Sequence, residues 1–495
     1  MKPFLFSVAF LFAGAITAPA HIGNPTTIHE GLAGTTPVRV SVRVPSVVPG
    51  LADINVRVLT NGVTRVTALP VHWKTGLKGS PPADVCQPVP GEPNLYHTQL
   101  WLMAYGAYSV NVSVESDRGA GKIVVPINSL ATTRLPMPKY LGILLLALGV
   151  FLFALAATAA GAALRESSLE PGLAPSLKRI WIGRAGVVIA AAVLGLSLYG
   201  GWSWWQGEDS DYRNNRMHKP LPMRAQVFTE DGVTRIRIGV LATNIASSEN
   251  RGWPPLVPDH GKLMHLFLVR EPDMAAFAHL HPARHGSNRF ASALPALPAG
   301  HYSVYADVTY ENGLSQTLTA AVKLGETNSL AGPAADASDP DDSWQAGEPG
   351  AFAGDCKIIW DRDGPLVAGR ETSLRFRALD TNGEPADLEP YISMLAHAIV
   401  RRDDGSVFTH LHPAGNISLA AQQVFQLRSG ENPARRITPE MMEKLCQPPG
   451  PELRRSPILF PYEFPKAGHY RIWVQIKTGG AVRTGVFDAD VKPAG

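Results

Sequence analysis

Two apolar runs without a single charge, Leu141–Leu164 and Ala185–Gly207, constrain this chain more than anything else in it. Each exceeds the roughly 20 residues that a helix needs to cross a bilayer. In hydrocarbon a segment must satisfy its own backbone polar groups, so runs of this kind are expected as membrane helices. The linker between them, 165–184, carries Arg165, Lys178, Arg179 and Arg184 against Glu166 and Glu170. The positive-inside rule places that linker in the cytoplasm. Trp202, Trp204 and Trp205 then form an interfacial belt, followed outside by Glu208, Asp209 and Asp211. Neither run holds an ionisable residue, which argues against a proton or ion path through them.

The N-terminus has the layout of a secretory signal: Lys2, an apolar stretch Phe4–Ala15, then Ala18-Pro19-Ala20 as a cleavage site. Residues 1–20 are expected to be removed, leaving His21 first. The sequence thus predicts a protein of the bacterial inner (plasma) membrane with two spans and both soluble segments facing the periplasm or exterior. Charged residues make up only 18% of the 495, against about 25% in an average soluble protein. A net charge of +3 argues against nucleic acid as a partner.

Outside the membrane the chain reads all-β. Val38-Arg39-Val40-Ser41-Val42-Arg43-Val44 alternates with period two, and the segments at 54–59 and 108–114 repeat the pattern. Residues 21–138 are expected to form an immunoglobulin-like or cupredoxin-like sandwich. Beyond the helices an internal duplication stands out. His265-Leu266-Phe267 parallels His397-Ala398-Ile399, Phe277-Ala278-His279-Leu280-His281-Pro282 parallels Phe408-Thr409-His410-Leu411-His412-Pro413, and Gly300-His301-Tyr302 parallels Gly468-His469-Tyr470. Two further sandwiches, 215–330 and 355–495, follow, joined by an Asp- and Ala-rich linker at 332–354. The second copy carries an insertion before His469 that holds Met441, Met442 and Cys446. Gly106-Ala107-Tyr108 makes the N-terminal domain a candidate third copy, with the Tyr packing at a corner in all three.

The histidines carry the chemistry. Residues i and i+2 of a strand share a face, roughly 6.6 Å apart. His279 and His281 therefore project side by side, as do His410 and His412. His265 and His397 lie on the preceding strand at hairpin distance, and His301 and His469 open a later one. These eight are the candidate metal ligands, with one site expected in each copy and the two sites in separate domains. The other arrangement is one shared ion, if the two HxH segments face each other. His260 and His285 occur in the first copy only and read as peripheral. His21, with its free amine and imidazole, is a second candidate site, with His29, His72 and His97 in the same domain. An all-imidazole site suits Cu(II), Zn(II) or Ni(II), and the Irving–Williams order favours copper, with zinc as the alternative. A blue-copper centre needs a Cys ligand, and none lies near the first HxH pair. Of the three cysteines, Cys356 and Cys446 share a domain and are the disulfide candidates, leaving Cys86 over.

The run His260-Gly261-Lys262-Leu263-Met264-His265-Leu266-Phe267-Leu268-Val269-Arg270, followed by His279-Leu280-His281-Pro282, resembles a group of largely uncharacterised bacterial envelope proteins linked to copper or heavy-metal functions. The His21 start on a β domain looks like the periplasmic copper-resistance (CopC-like) proteins, whose N-terminal His ligates copper. Only His21 carries over. The layout is also similar to that of particulate methane or ammonia monooxygenases, in the subunit with a cleaved signal, an N-terminal His and β domains on either side of two membrane helices. There the HxH pair precedes the helices, whereas here two such pairs follow them, so only the architecture matches.

These readings imply a membrane-anchored protein for copper handling or cuproenzyme assembly, with envelope copper proteins or oxidase subunits as partners. An accessory subunit of a membrane copper oxidase or monooxygenase is the enzymatic alternative, and a metal-free structural sandwich the third. No Ser-His-Asp constellation, Walker loop or HExxH helix points to a hydrolase or NTPase.

Overall fold

A computed structural model describes residues 26–240 apart from 171, 255–325 apart from 287, and 339–495 apart from 348–349, 351, 354, 429–437, 439–440 and 443–449. The signal segment, His21 and Cys446 lie outside the described residues. The chain divides into two compact units, one built from residues up to Ser129 together with Pro220–Gly495, the other from Leu130–Lys219.

The smaller unit is a pair of antiparallel helices, α1 (Lys139–Glu166) and α2 (Leu177–Asp211). Both are long and apolar enough to cross a membrane. The second starts inside the segment read as linker, so Lys178, Arg179 and Arg184 occupy its first turns. Ser176 caps it through the amide of Arg179. Glycines let the helices approach: a Cβ on Gly161 would collide with Val187, and one on Gly186 with Leu164.

The larger unit holds three sandwiches. In the first, a sheet containing Thr26–Ala33, Thr36–Arg43, Gly50–Val58 and Leu95–Leu102 faces one containing Val63–His72, Gly106–Ser116 and Gly119–Ser129. Their alternating residues make one core, with Val38, Val40, Val42, Ile54, Val110 and Val112 fully buried. The corner tyrosine recurs in all three sandwiches, each bonded four residues upstream. Tyr108 Oη accepts from the Ala104 amide, Tyr302 Oη donates to the Pro298 carbonyl, and Tyr470 Oη donates to the Lys466 carbonyl.

The duplicated sandwiches each present one sheet to the other. In the first copy this sheet contains β1 (His265–Glu271), β2 (Ala276–Leu280) and β3 (Gly300–Tyr310). In the second it contains β4 (Ala396–Arg402), β5 (Phe408–Leu411) and β6 (Gly468–Thr478). Leu266, Leu268, Ala278, Val304 and Ala306 fill the first copy's own core, and Ala398, Val400, Leu411, Ile472 and Val474 the second's. The intervening residues point the other way and form a shared cluster of Phe267, Val269, Phe277, Tyr305, Ile399, Phe408 and Trp473. A strand buried on both faces reads as a continuous apolar run, and that is why His265-Leu266-Phe267-Leu268-Val269 shows no alternation.

The packing between the copies is reciprocal. Phe277 of the first stacks on Trp473 of the second with ring centroids 4.9 Å apart, and Phe408 of the second stacks on Tyr305 of the first at 3.9 Å. Strand register makes Phe277 equivalent to Phe408 and Tyr305 to Trp473, so the two stacks are one contact repeated by a pseudo-twofold axis. The expectation of separate domains gives way to a fused pair, because the apolar outer faces leave no other way to exclude water. Removing either ring leaves a cavity in this seam. Phe408→Ala is expected to destabilise the unit by about 3–5 kcal/mol. A thermal midpoint of the detergent-solubilised protein unchanged from wild type would contradict that.

Candidate metal centre

Along β1 and β2 every second side chain faces the other copy, and the His residues occupy the end of that face beyond the aromatic seam. Leu266 pairs with Leu280 and Ala398 with Leu411. One step further along each hairpin, His265 falls opposite His281 and His397 opposite His412. His279 and His410 are the diagonal third members. The result is two triads, His265–His279–His281 and His397–His410–His412, each with one ligand atom per residue within 4.8 Å of the others. Six of the eight expected ligands are thereby gathered. The triads lie against each other, with ring centroids 5.3 Å apart for His265 and His410 and 5.6 Å for His279 and His410.

His301 and His469 are not in the cluster. Asp307 and Gln475 occupy the positions opposite His265 and His397 on β3 and β6. His301 and His469 stand six residues earlier, roughly 20 Å back along the strand. His469 bonds Asp490 Oδ1 at 2.9 Å instead. The Gly-His-Tyr element therefore builds the tyrosine corner, and the residue that reaches the centre is six positions later. His72 and His97 bond Tyr105 O and Asn55 Oδ1 within the first sandwich. Cys356 is buried as a free thiol, as is Cys86.

The hydrogen bonds fix which nitrogens carry lone pairs. His265 Nε2 lies 3.2 Å from the Asp259 carbonyl and His397 Nε2 3.1 Å from the Tyr391 carbonyl. A carbonyl only accepts, so both Nε2 atoms are protonated and both Nδ1 atoms carry lone pairs. His279 Nδ1 donates to Gln475 Oε1 at 2.9 Å, which leaves its Nε2 a lone pair. His410 Nδ1 faces Asp307 Oδ2 at 3.4 Å. His281 Nδ1 donates to Asp342 Oδ1 at 3.0 Å and His412 Nδ1 to the Ile417 carbonyl at 3.1 Å. The Nε2 atoms of His281 and His412 are buried and have no hydrogen-bond partner.

In each triad, then, ring nitrogens turn inward while the opposite nitrogen of each ring lies against an oxygen. Metal-ligating histidines are held in this way, the second partner setting tautomer and ring angle. His265 Nδ1 sits 3.1 Å from His279 Nε2, and His397 Nδ1 sits 3.1 Å from His410 Nε2. At the first of these pairs both nitrogens carry lone pairs, which repel at that distance unless a cation lies between them. Nitrogens about 2.0–2.1 Å from one ion are about 2.9 Å apart at a right angle and about 3.3 Å apart at a tetrahedral one. The observed spacing falls between these values.

The supports cross between the copies. His279 of the first bonds Gln475 of the second, and His410 of the second faces Asp307 of the first. Tyr391 Oη donates to the Asp341 carbonyl and lies 3.3 Å from His279 Nδ1. Ser418 Oγ and Asp259 Oδ1 accept the first amides of α3 (Leu419–Arg428), those of Ala421 and Ala420. The first sandwich clamps the loop after His412. Asn416 Oδ1 accepts from the Ile28 amide, His29 Nδ1 bonds the Ala414 carbonyl, and a Cβ at Gly415 would strike the Ile28 carbonyl. His29 is thus a support for the centre.

Burial drives the electrostatics. It holds His265 down to about 4, and His279, His281, His397 and His410 well below their ordinary value. The rings are neutral at pH 7, as ligation requires. Burial likewise pushes Asp307 and Asp342 up to about 7.

A family model described as a domain of unknown function (DUF8832) matches residues 352–493, the second copy. No curated protein matches. Among solved structures, the BSP domain of a biofilm-associated protein is 7% identical, covering 97% of this chain and 68% of that one, with a TM-score of 0.15. The D1–D4 ectodomain fragment of ICAM-5 is 9% identical, covering 90% of this chain and 74% of that one, with a TM-score of 0.14. The sandwich assignment rests on strand pairing rather than on these similarities.

A pH dependence follows from the depressed histidines. Unfolded, they titrate near 6.5; folded, His265 titrates near 4. Below 6.5 the unfolded chain binds more protons, so the stability present above that pH is lost as pH falls towards 4. Thermal midpoints of chelator-treated protein should drop from pH 7 to pH 4.5, because the several depressed histidines outweigh the opposite contribution of the two raised carboxyls, Asp307 and Asp342. A flat profile would mean the rings are not buried neutral.

Proposed function

We propose that this chain is a membrane-anchored, periplasm-facing copper-binding protein that handles copper or serves cuproenzyme assembly. The carrying observation is the pair of tri-imidazole sets whose ring nitrogens converge while every outer ring nitrogen faces an oxygen. An all-nitrogen donor set without thiolate suits Cu(II) over softer ions, and the Irving–Williams order ranks copper above zinc. Two apolar helices joined by a basic linker support an inner-membrane anchor with the sandwiches outside. Envelope copper proteins are the partners this reading implies. The centre is enclosed by protein on every strand that carries it, which suits secure holding better than rapid exchange.

Full-length protein in detergent is expected to bind two Cu(II) per chain, measured by metal analysis after desalting. Replacing His279 and His281 together by Ala should leave about one, because each triad keeps its own three nitrogens. Loss of both ions in that variant would show one shared ion. Unchanged metal content after all of His279, His281, His410 and His412 are replaced would sink the metal reading. For topology, a reporter fused after Lys178 should behave as cytoplasmic and one after Gly495 as exported. A C-terminal reporter active only in the cytoplasm would reverse the orientation.

A further inference from the structure

The two triads are related by the pseudo-twofold axis, but their surroundings are not. Each is preceded by a tight turn whose first carbonyl accepts from the first histidine of the triad: Asp259 for His265, Tyr391 for His397. Asp259 pairs with Lys262 and Tyr391 with Met394 across these turns. The next residue in each is left-handed, His260 at φ 52° and Ile392 at φ 48°. Equivalent backbone thus carries an imidazole in one copy and an alkyl group in the other.

His260 is fully enclosed, its side chain 0% exposed. Neither ring nitrogen has a hydrogen-bond partner, and Nε2 stands 3.5 Å from Asp259 Oδ1. An unpaired buried polar atom costs about 1–3 kcal/mol, and a left-handed backbone is uncommon outside Gly, although His and Asn adopt it more readily than most residues. Both features meet at one residue, beside a lone-pair cluster. Its ring centroid lies 4.8 Å from that of His412 and 5.6 Å from that of His397, against 6.4 Å for His265. It approaches the second copy's triad, although it belongs to the first copy's chain.

We propose that His260 is a fourth imidazole ligand for the ion held by His397, His410 and His412. The two sites are then unequal: a closed four-nitrogen site, and a three-nitrogen site at His265, His279 and His281 with a coordination position open. Closed sites hold metal structurally, whereas an open position is where a small ligand or an exchanging donor binds. This inference rests on the metal reading above and gives the two ions different donor sets, four imidazoles for one and three for the other.

The test uses Zn(II) and Co(II) as probes on full-length protein in detergent. His260→Asn keeps a residue that tolerates the left-handed turn. In a background lacking His279 and His281, this change should weaken Zn(II) binding by at least about tenfold and alter the Co(II) absorption expected of a four-nitrogen tetrahedral site. In a background lacking His410 and His412 it should change neither. Ile392→His is the converse variant and should tighten the open site. No effect of His260→Asn in the first background, with the thermal midpoint preserved, overturns the assignment, as does an equal effect in both. Failure of wild type to bind either metal overturns the underlying reading, and is distinguished by occurring before any substitution.

Discussion

The architecture depends on burying the outer faces of two sheets against each other. A sandwich sheet normally keeps one face for water, so its strands alternate. Here the second face is apolar too, with Phe267, Phe277, Ile399, Phe408 and Trp473 fully buried in the seam. Burying such rings is worth about 1.5–3 kcal/mol each, enough to lock the copies together and to exclude water from whatever sits at the end of the seam. What sits there is six imidazoles. The aromatic contact therefore supplies the dry surroundings, and the dry surroundings keep the rings neutral.

Reciprocity has a chemical consequence. Because His279 is held by Gln475 and His410 faces Asp307, neither triad has its full set of supports within its own copy. An isolated copy would keep three nitrogens but lose the partner that fixes the tautomer of the middle ring. The first sandwich adds a further constraint through Ile28, His29 and Asn416, which position the loop that follows His412. Stability and ligand geometry are thus the same problem at this centre, and a change in the seam acts on both.

Much of this is legible in the sequence. The HxH pairs, the hairpin position of His265 and His397, the sandwiches, the corner tyrosines and the two long apolar helices all follow from local periodicity. What escapes it are relations that period alone does not encode. His301 and His469 enter the expected ligand set because they recur in both copies, yet recurrence reports shared descent, and the Gly-His-Tyr element repeats for its corner. Asp307 and Gln475 escape notice because an Asp and a Gln at equivalent positions do not look like a repeat. The unbroken apolar character of β1 is the available sign that the strand is covered on both faces, and so that the two HxH segments meet. His260 reads as peripheral because it occurs once. Asp-His-Gly is a strong turn sequence, and a turn directly before a histidine-bearing strand ends beside the same cluster.

The two halves of the centre are best understood as a symmetric arrangement that has diverged where symmetry was not needed for folding. The aromatic stacks are preserved as equivalent contacts, since each supports the other copy. The ring partners have drifted: a carboxylate, Asp342, behind His281 and a backbone carbonyl, Ile417, behind His412. Either partner fixes the tautomer and ring angle of its imidazole. Asp342 is nearly enclosed, and burial alone favours its protonated form; a dication on His281 would favour the carboxylate instead. The second triad has its carboxylate, Asp307, at His410 instead, and the His260 imidazole stands beside His412. Divergence between Asp and carbonyl, and between His and Ile, gives two triads of the same three imidazoles different surroundings.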